Sequence, residues 1–307
     1  MKLERKGLYV SRARQRTVRW GERGDVATSI LEAIAVPWYF TMIGADDIHR
    51  TLLGEQDLID ATLSEFLHQK RSDCSLPLGR GELPMFVDAL SEFLVGGKRL
   101  QPALCLHGWR AAGATGAPSV SVLRVAAALE LFHAFALIQD DIMDHSHTRR
   151  GRPVVHRQLA IGHAGHPAAG ELGVAAALLL SDLAFGWFHE LVRSAPMAPA
   201  TAEATWSLLD RMRTDTMVGQ YLDLRAARTW PVDLGGAVEI GLLKTAKYTV
   251  EYPLRVGAQL ADADADVHRA CTAFAIPLGE AFQLRDDLLG VFGNPDLHRQ
   301  IRPRRPA

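Results

Sequence analysis

Apolar residues recur along this chain at helical spacing and almost never in strict alternation. Leu58, Ala61, Leu63, Phe66 and Leu67 follow one another at near-helical intervals. Residues 121–139 form an Ala/Leu-rich stretch too long for a strand. Residues 172–192, broken by Ser181, Asp182 and His189, and residues 202–224 read the same way. Several of these segments are apolar on most faces, which predicts burial inside a large bundle. Gly and Pro cluster at residues 76–84, 113–118, 162–170, 195–199 and 230–236, and these mark the breaks. Pro253 sits within an otherwise helical stretch over 239–260, where a kink is expected. Asn-Gly and Asp-Gly hairpin turns are missing, so strands are not expected. The fold class is all-α, a single large helical domain over 51–296, preceded by a loose basic arm over 1–50 and followed by an Arg/Pro-rich tail over 297–307.

Composition fits this picture. The chain has 307 residues, 48% hydrophobic and 22% charged, enough for a sizeable core. Its formal charge of −1 provides no global field for nucleic acid or an anionic membrane. Cys74, Cys105 and Cys271 are odd in number and widely spaced, which suits free thiols in a reducing, cytoplasmic setting. No uninterrupted apolar run reaches the ~20 residues that span a bilayer. The nearest, residues 30–45, contains Glu32 and Pro37. The 34 basic residues include only six lysines, so each lysine position carries information.

The chemistry concentrates where the first long apolar segment ends, at Gln139-Asp140-Asp141-Ile142-Met143-Asp144, followed by Arg149-Arg150-Gly151. Asp140 and Asp144 are four apart and share a helix face, where two carboxylates repel unless a cation intervenes. Mg²⁺ takes oxygen ligands and favours one or two carboxylates plus substrate phosphates. The neighbouring guanidinium forks suit phosphate oxygens. Acids and arginines beside an apolar wall describe a metal-bridged diphosphate with a hydrocarbon tail. Asp286-Asp287 form a second acidic pair 146 residues after Asp140. Gly96-Gly97-Lys98-Arg99 and Lys244-Thr245-Ala246-Lys247-Tyr248 place three of the six lysines in two candidate anion sites. His145-x-His147 lacks a third nearby nitrogen or sulfur ligand for zinc. Asp46-Asp47 has no assigned role.

Taken in order, these motifs resemble the trans-prenyl diphosphate synthases, the polyprenyl synthetase family. The resemblance runs from about Gly96 to Pro295. It includes His133 seven residues before the first Asp, Ser181-Asp182-Leu183, Gly219-Gln220-Tyr221-Leu222-Asp223, Lys244-Thr245 and Gln283-x-x-Asp286-Asp287. It implies a helical bundle around a central cavity, a homodimer, and two to three Mg²⁺ ions on Asp140, Asp144 and Asp286. It also implies an allylic diphosphate contacted by Arg149 and Lys244, and isopentenyl diphosphate gripped by Lys98, His133 and Arg150. Gln220 and Thr245 would line the reacting carbons, Asp141 joins the catalytic group, and Arg99 and Gln283 join the substrate-binding set. Phe135 and Phe132, five and eight residues before Asp140, would close the tunnel for the growing chain. Bulky at minus five and small at minus four (Ala136) resembles geranylgeranyl diphosphate synthases.

Three positions depart from the family pattern. Gln101 stands where an Arg is usual, Gly290 where many members have Asp, and the text after Asp296 reads as a truncated or frameshifted end. A folded but non-catalytic partner subunit therefore stays open as the alternative. A class I terpene cyclase fits poorly, because the only Asn, Asn294, is followed four residues on by His298 where Ser or Thr is needed.

Overall fold

The computed structural model describes residues 45–72, 82–228 and 234–292, and side chains over 54–72, 82–228 and 235–285. Residues 1–44 of the basic arm, Cys74, the side chains of Asp46, Asp47, Asp286 and Asp287, and the segment from residue 293 lie outside it, whereas residues 45–50, expected as part of the loose arm, are helical. Helices come in the order α1 (Ala45–Ser72), α2 (Glu82–Leu94), α3 (Leu100–Ala111), α4 (Val120–Met143), α5 (Val155–Ile161), α6 (Ala169–Arg193), α7 (Pro199–Ala226), α8 (Leu234–Gly241), α9 (Tyr252–Leu260) and α10 (Ala265–Phe292). The expected segments over 121–139, 172–192 and 202–224 form α4, α6 and α7.

Helix α4 is the axis of the bundle. Ser119 caps its start, the side-chain oxygen accepting from the Val122 amide at 3.4 Å. Its buried residues run from Val122 to Asp141 on nearly every face, as an all-round apolar helix requires. Helices α1, α2, α3, α5, α6 and α9 pack against it, and α7 joins the same continuous core. A smaller cluster, Val250, Leu254, Ala258, Cys271 and Ala275, joins α9 to α10.

Two helices, α4 and α6, are long and apolar enough to cross a membrane by length and composition alone. Scattered charged residues hide them from a test that asks for an unbroken run. Two-thirds of the α4 window is buried in the bundle, as befits a core helix.

The stretch over 234–260 does not simply kink at Pro253. Between α8 and α9 the chain adopts a π-helical segment, Leu242–Glu251, and Pro253 sits in the first turn of α9. Proline offers no N–H to the preceding turn, so the regular bond pattern must change ahead of it. Two glycines let neighbouring helices close onto this segment. A Cβ on Gly219 of α7 would lie 2.6 Å from the Lys244 nitrogen, and one on Gly279 of α10 would lie 2.4 Å from Ala246 Cα.

A hairpin the sequence reading did not anticipate follows α4. Strands β1 (Thr148–Arg149) and β2 (Arg152–Pro153) pair antiparallel, Arg149 opposite Arg152. The two turn residues, Arg150 and Gly151, have φ of 52° and 76°, the positive values a type I′ turn needs. Arg-Gly supplies the required glycine without the usual Asn or Asp, so the turn signal was missed.

Two clefts, of about 720 and 580 Å³, lie between α7, α9 and α10, and against α2 and α6. Neither is lined by a candidate site residue. Below Asp140 the space is filled by aromatic rings, and above it by ion-paired side chains.

Candidate active site

The site is built where the C-terminal end of α4 meets α7 and the π segment. Asp140 Oδ1 accepts from Lys244 Nζ at 3.1 Å and from Gln220 Nε2 at 3.0 Å. Arg149 Nη2 lies 3.6 Å from Asp140 Oδ2. Lys244 Nζ also donates to Asp223 Oδ2 at 2.7 Å, so one ammonium spans two carboxylates. Burial pushes the Asp140 carboxyl up, but Lys244, Gln220 and Arg149 together hold it below the usual carboxylate range. Burial likewise pulls the Lys244 ammonium down, and Asp140 with Asp223 more than reverses this.

Asp141 does different work from Asp140. Its side chain is 3% exposed and receives Arg149 as a fork, Nε to Oδ2 at 2.8 Å and Nη2 to Oδ1 at 2.9 Å. The pair fixes Arg149 on the first strand of the hairpin, beside Asp140. Asp144 closes α4 as its C-terminal cap and is exposed, one turn beyond Asp140.

The Gly-Gly-Lys-Arg loop splits in two. Lys98 is exposed. Arg99, at φ 51°, turns inward and is 7% exposed, its Nε on Asp60 at 2.6 Å and its Nη1 on Glu130 at 2.9 Å. Gly97 makes room for it, since a Cβ there would stand 2.2 Å from Arg99 Nη1. With its guanidinium held by two carboxylates, Arg99 braces the loop and does not present its fork to a diphosphate.

His133 faces the π segment two turns below Asp140. Its Nδ1 contacts the Tyr248 hydroxyl and lies 3.2 Å from Gln101 Nε2. Burial, reinforced by Arg149, Arg150 and Arg99, drives the His133 pKa down to about 3. The ring is neutral near pH 7, one of its nitrogens a donor and the other an acceptor. Gln101 is therefore buried in this polar network, 3% exposed. Arg150, at the hairpin turn, is close enough for its charge to act on both His133 and Glu130. Thr245 Oγ1 donates to Gln283 Oε1, tying the π segment to α10.

The structure brings Asp140, Asp141, Arg149, Gln220 and Lys244 into one polar group, and His133 to its border. Asp223 and Tyr248 stand in motifs read from the sequence but had no role there. Asp223 lies three residues after Gln220 on α7, a spacing that puts both on one helix face. Tyr248 lies four after Lys244. Among the described residues no group of three or more His, Cys, Asp and Glu side chains forms a ready-made metal cage. The donors at hand are carboxylate oxygens, and a cation, the Lys244 ammonium, already bridges two of them. That set fits Mg²⁺, which is held by few protein carboxylates and completes its sphere with phosphate and water.

A family model described as Polyprenyl synthetase matches residues 84–301. The chain belongs to the polyprenyl synthetase family. The match reaches six residues beyond Pro295. A geranylfarnesyl diphosphate synthase from Aeropyrum pernix is 33% identical over 202 residues, covering 65% of this chain and 59% of its own length. A geranylgeranyl diphosphate synthase from Methanosarcina mazei is 30% identical over 244 residues, covering 80% of this chain and 67% of that protein. The fold resembles a geranylgeranyl pyrophosphate synthase from Corynebacterium glutamicum solved with isoprenyl diphosphate and magnesium. The TM-score is 0.75 at 32% identity, covering 80% of this chain and 70% of that one. The chain thus spans less than two thirds of the length of the A. pernix relative. Family members are all-α isoprenyl synthases, and the bundle around α4 is that fold.

Proposed function

We propose that this protein is an Mg²⁺-dependent prenyltransferase that condenses isopentenyl diphosphate with an allylic diphosphate to give geranylgeranyl diphosphate or a similar short-chain product. The observation that carries this reading is Asp140 at the end of an apolar core helix, held ionised by Lys244 and Arg149, with a wall of aromatic rings directly beneath. A diphosphate head fits the charged rim and a hydrocarbon tail fits the wall.

Arg149, fixed by Asp141, and Lys244 supply positive charge to the allylic diphosphate, and Asp140, Asp144 and Asp286 would hold the ions. Bound Mg²⁺ supplies charge neutralisation for the departing diphosphate. The allylic C–O bond breaks with its electrons leaving on diphosphate. The double bond of isopentenyl diphosphate then attacks the allylic carbon, forming the new C–C bond, and a proton is lost to the released diphosphate. Lys98, Arg150 and His133 would orient isopentenyl diphosphate. Gln220 and Thr245 flank the reacting carbons, and Gln283 orients Thr245. The dry, ring-lined wall keeps water from the cation.

The second copy implied by the resemblance finds support in α6, which exposes Leu172, Leu178 and Leu179. Cys105 and Cys271 are buried free thiols, consistent with a cytoplasmic setting. The test is direct: purified protein with Mg²⁺, isopentenyl diphosphate and geranyl or farnesyl diphosphate, with products identified by mass. Formation of a longer prenyl diphosphate is expected. A dimer that makes none with any allylic starter would replace this reading with a non-catalytic partner subunit.

A further inference from the structure

We propose that Asp215 of α7, through its bonds to Lys247 and Tyr252, fixes the π segment so that the Lys244 ammonium stays on Asp140. The proposal rests on the prenyltransferase reading and adds to it a side chain two turns below Asp223, outside the charged rim.

Lys247 reads from the sequence as a second anion contact beside Lys244, yet in the structure it turns away from the rim. Its Nζ donates to Asp215 Oδ2, and the Tyr252 hydroxyl donates to the same oxygen at 2.6 Å. The ammonium also lies 5.4 Å from the centroid of the Tyr252 ring. Burial pushes the Asp215 carboxyl up, but the bonds from Lys247 and Tyr252, with the Lys247 and Arg211 charges, hold it below the usual carboxylate range. Burial and the Asp215 carboxylate push the Tyr252 phenol up, so it stays protonated and a donor. One carboxylate thereby ties α7 to the π segment and to the start of α9.

Asp215, Gly219 and Asp223 recur every four residues and share one face of α7. Gly219 marks the closest approach of the two backbones. From there Lys244 reaches to Asp223 and Lys247 reaches the other way to Asp215. At a rise of ~1.5 Å per residue the two acids stand roughly 12 Å apart along α7. The π segment is thus anchored on both sides of the glycine. It needs outside anchoring, because π bonding appears mostly as single-turn bulges and here extends over Leu242–Glu251. The upper anchor belongs to the rim, where a diphosphate competes for the Lys244 ammonium. The lower anchor touches no rim residue, so it holds the segment whatever the rim binds. Without it the segment is free to rewind toward the commoner α form, which turns Lys244 off Asp140.

Asp215→Asn and Lys247→Met test the proposal, with Asp210→Asn as control, since Asp210 forms an exposed pair with Arg213 at 3.0 Å on the same helix. Each variant is assayed well below its denaturation midpoint, so that a loss of stability alone does not register. Asp215→Asn and Lys247→Met are each expected to lower kcat roughly tenfold or more, the scale of loss that a slightly displaced group brings. Asp210→Asn should leave kcat unchanged. Because Asp215 acts through Lys244, Asp215→Asn should cost less than about twofold further in a Lys244→Ala background. A folded Asp215→Asn with full kcat, or the same loss with and without Lys244, overturns the proposal and leaves the prenyltransferase reading intact. If Asp215→Asn does not fold, Lys247→Met, which keeps most of the stem, decides by the same criteria. A binding measurement needs no turnover: with Mg²⁺, methylenediphosphonate should bind Asp215→Asn about fivefold or more weakly than the unsubstituted protein, and equal affinity overturns the proposal. If the unsubstituted protein neither turns over nor binds the diphosphonate, the prenyltransferase reading fails and this proposal falls with it.

Discussion

Lys98 and Arg99 are neighbours in sequence and opposites in environment. The sequence grouped them as one anion site, yet Arg99 lies inside on Asp60 and Glu130 while Lys98 remains exposed. Charge and spacing alone cannot tell a solvent-facing arginine from a buried one, because Asp60 and Glu130 are 39 and 31 residues away. Asp141 repeats the lesson. The Asp-Asp-x-x-Asp motif was legible, but which carboxylate faces the ligand and which supports Arg149 depends on a hairpin eight residues on. The Asp141–Arg149 pair is largely buried, so removing one partner strands the other's charge. Asp141→Ala is expected to cost about 3 kcal/mol, measured by urea denaturation, and to weaken allylic diphosphate binding. A variant as stable as the unsubstituted protein would mean that Arg149 finds another partner.

Among the elements, the long apolar helices were read correctly from their periodicity, and the Gly/Pro clusters marked their ends. Missed were the features set by contact between elements. The π segment carrying Lys244, Thr245 and Tyr248 takes its place from Gly219 and Gly279, whose missing side chains let α7 and α10 close on it. Helices α3 and α9 cross in the same manner. A Cβ on Gly108 would lie 1.9 Å from the Leu254 carbonyl oxygen, and one on Gly257 would lie 1.8 Å from that of Cys105. Rigid backbone cannot yield as a side-chain tip can. Gly257→Ala is therefore expected to destabilise the protein by about 3 kcal/mol, at the upper end of ordinary overpacking, read as a lower denaturation midpoint. Gly186→Ala, where a Cβ meets nothing within 4 Å, should leave that midpoint unchanged or raise it. Equal effects of the two would remove close packing as the reason for the glycine at 257.

At the scale of the whole molecule, one buried helix delivers Asp140 to a charged rim and Phe135 to a dry interior. The all-α class, the position of the rim and its acidic and basic members were legible in the chain. The aromatic layers beneath the rim were not, since they depend on rings from α4 and α6 meeting in register. The account's central claim is that this rim gathers Mg²⁺ around a diphosphate. Calorimetric titration with methylenediphosphonate, with and without Mg²⁺, tests it on the unsubstituted protein and on Asp140→Asn. Binding that requires the ion and falls at least tenfold in the variant is expected. Binding that ignores both the ion and the substitution would contradict it.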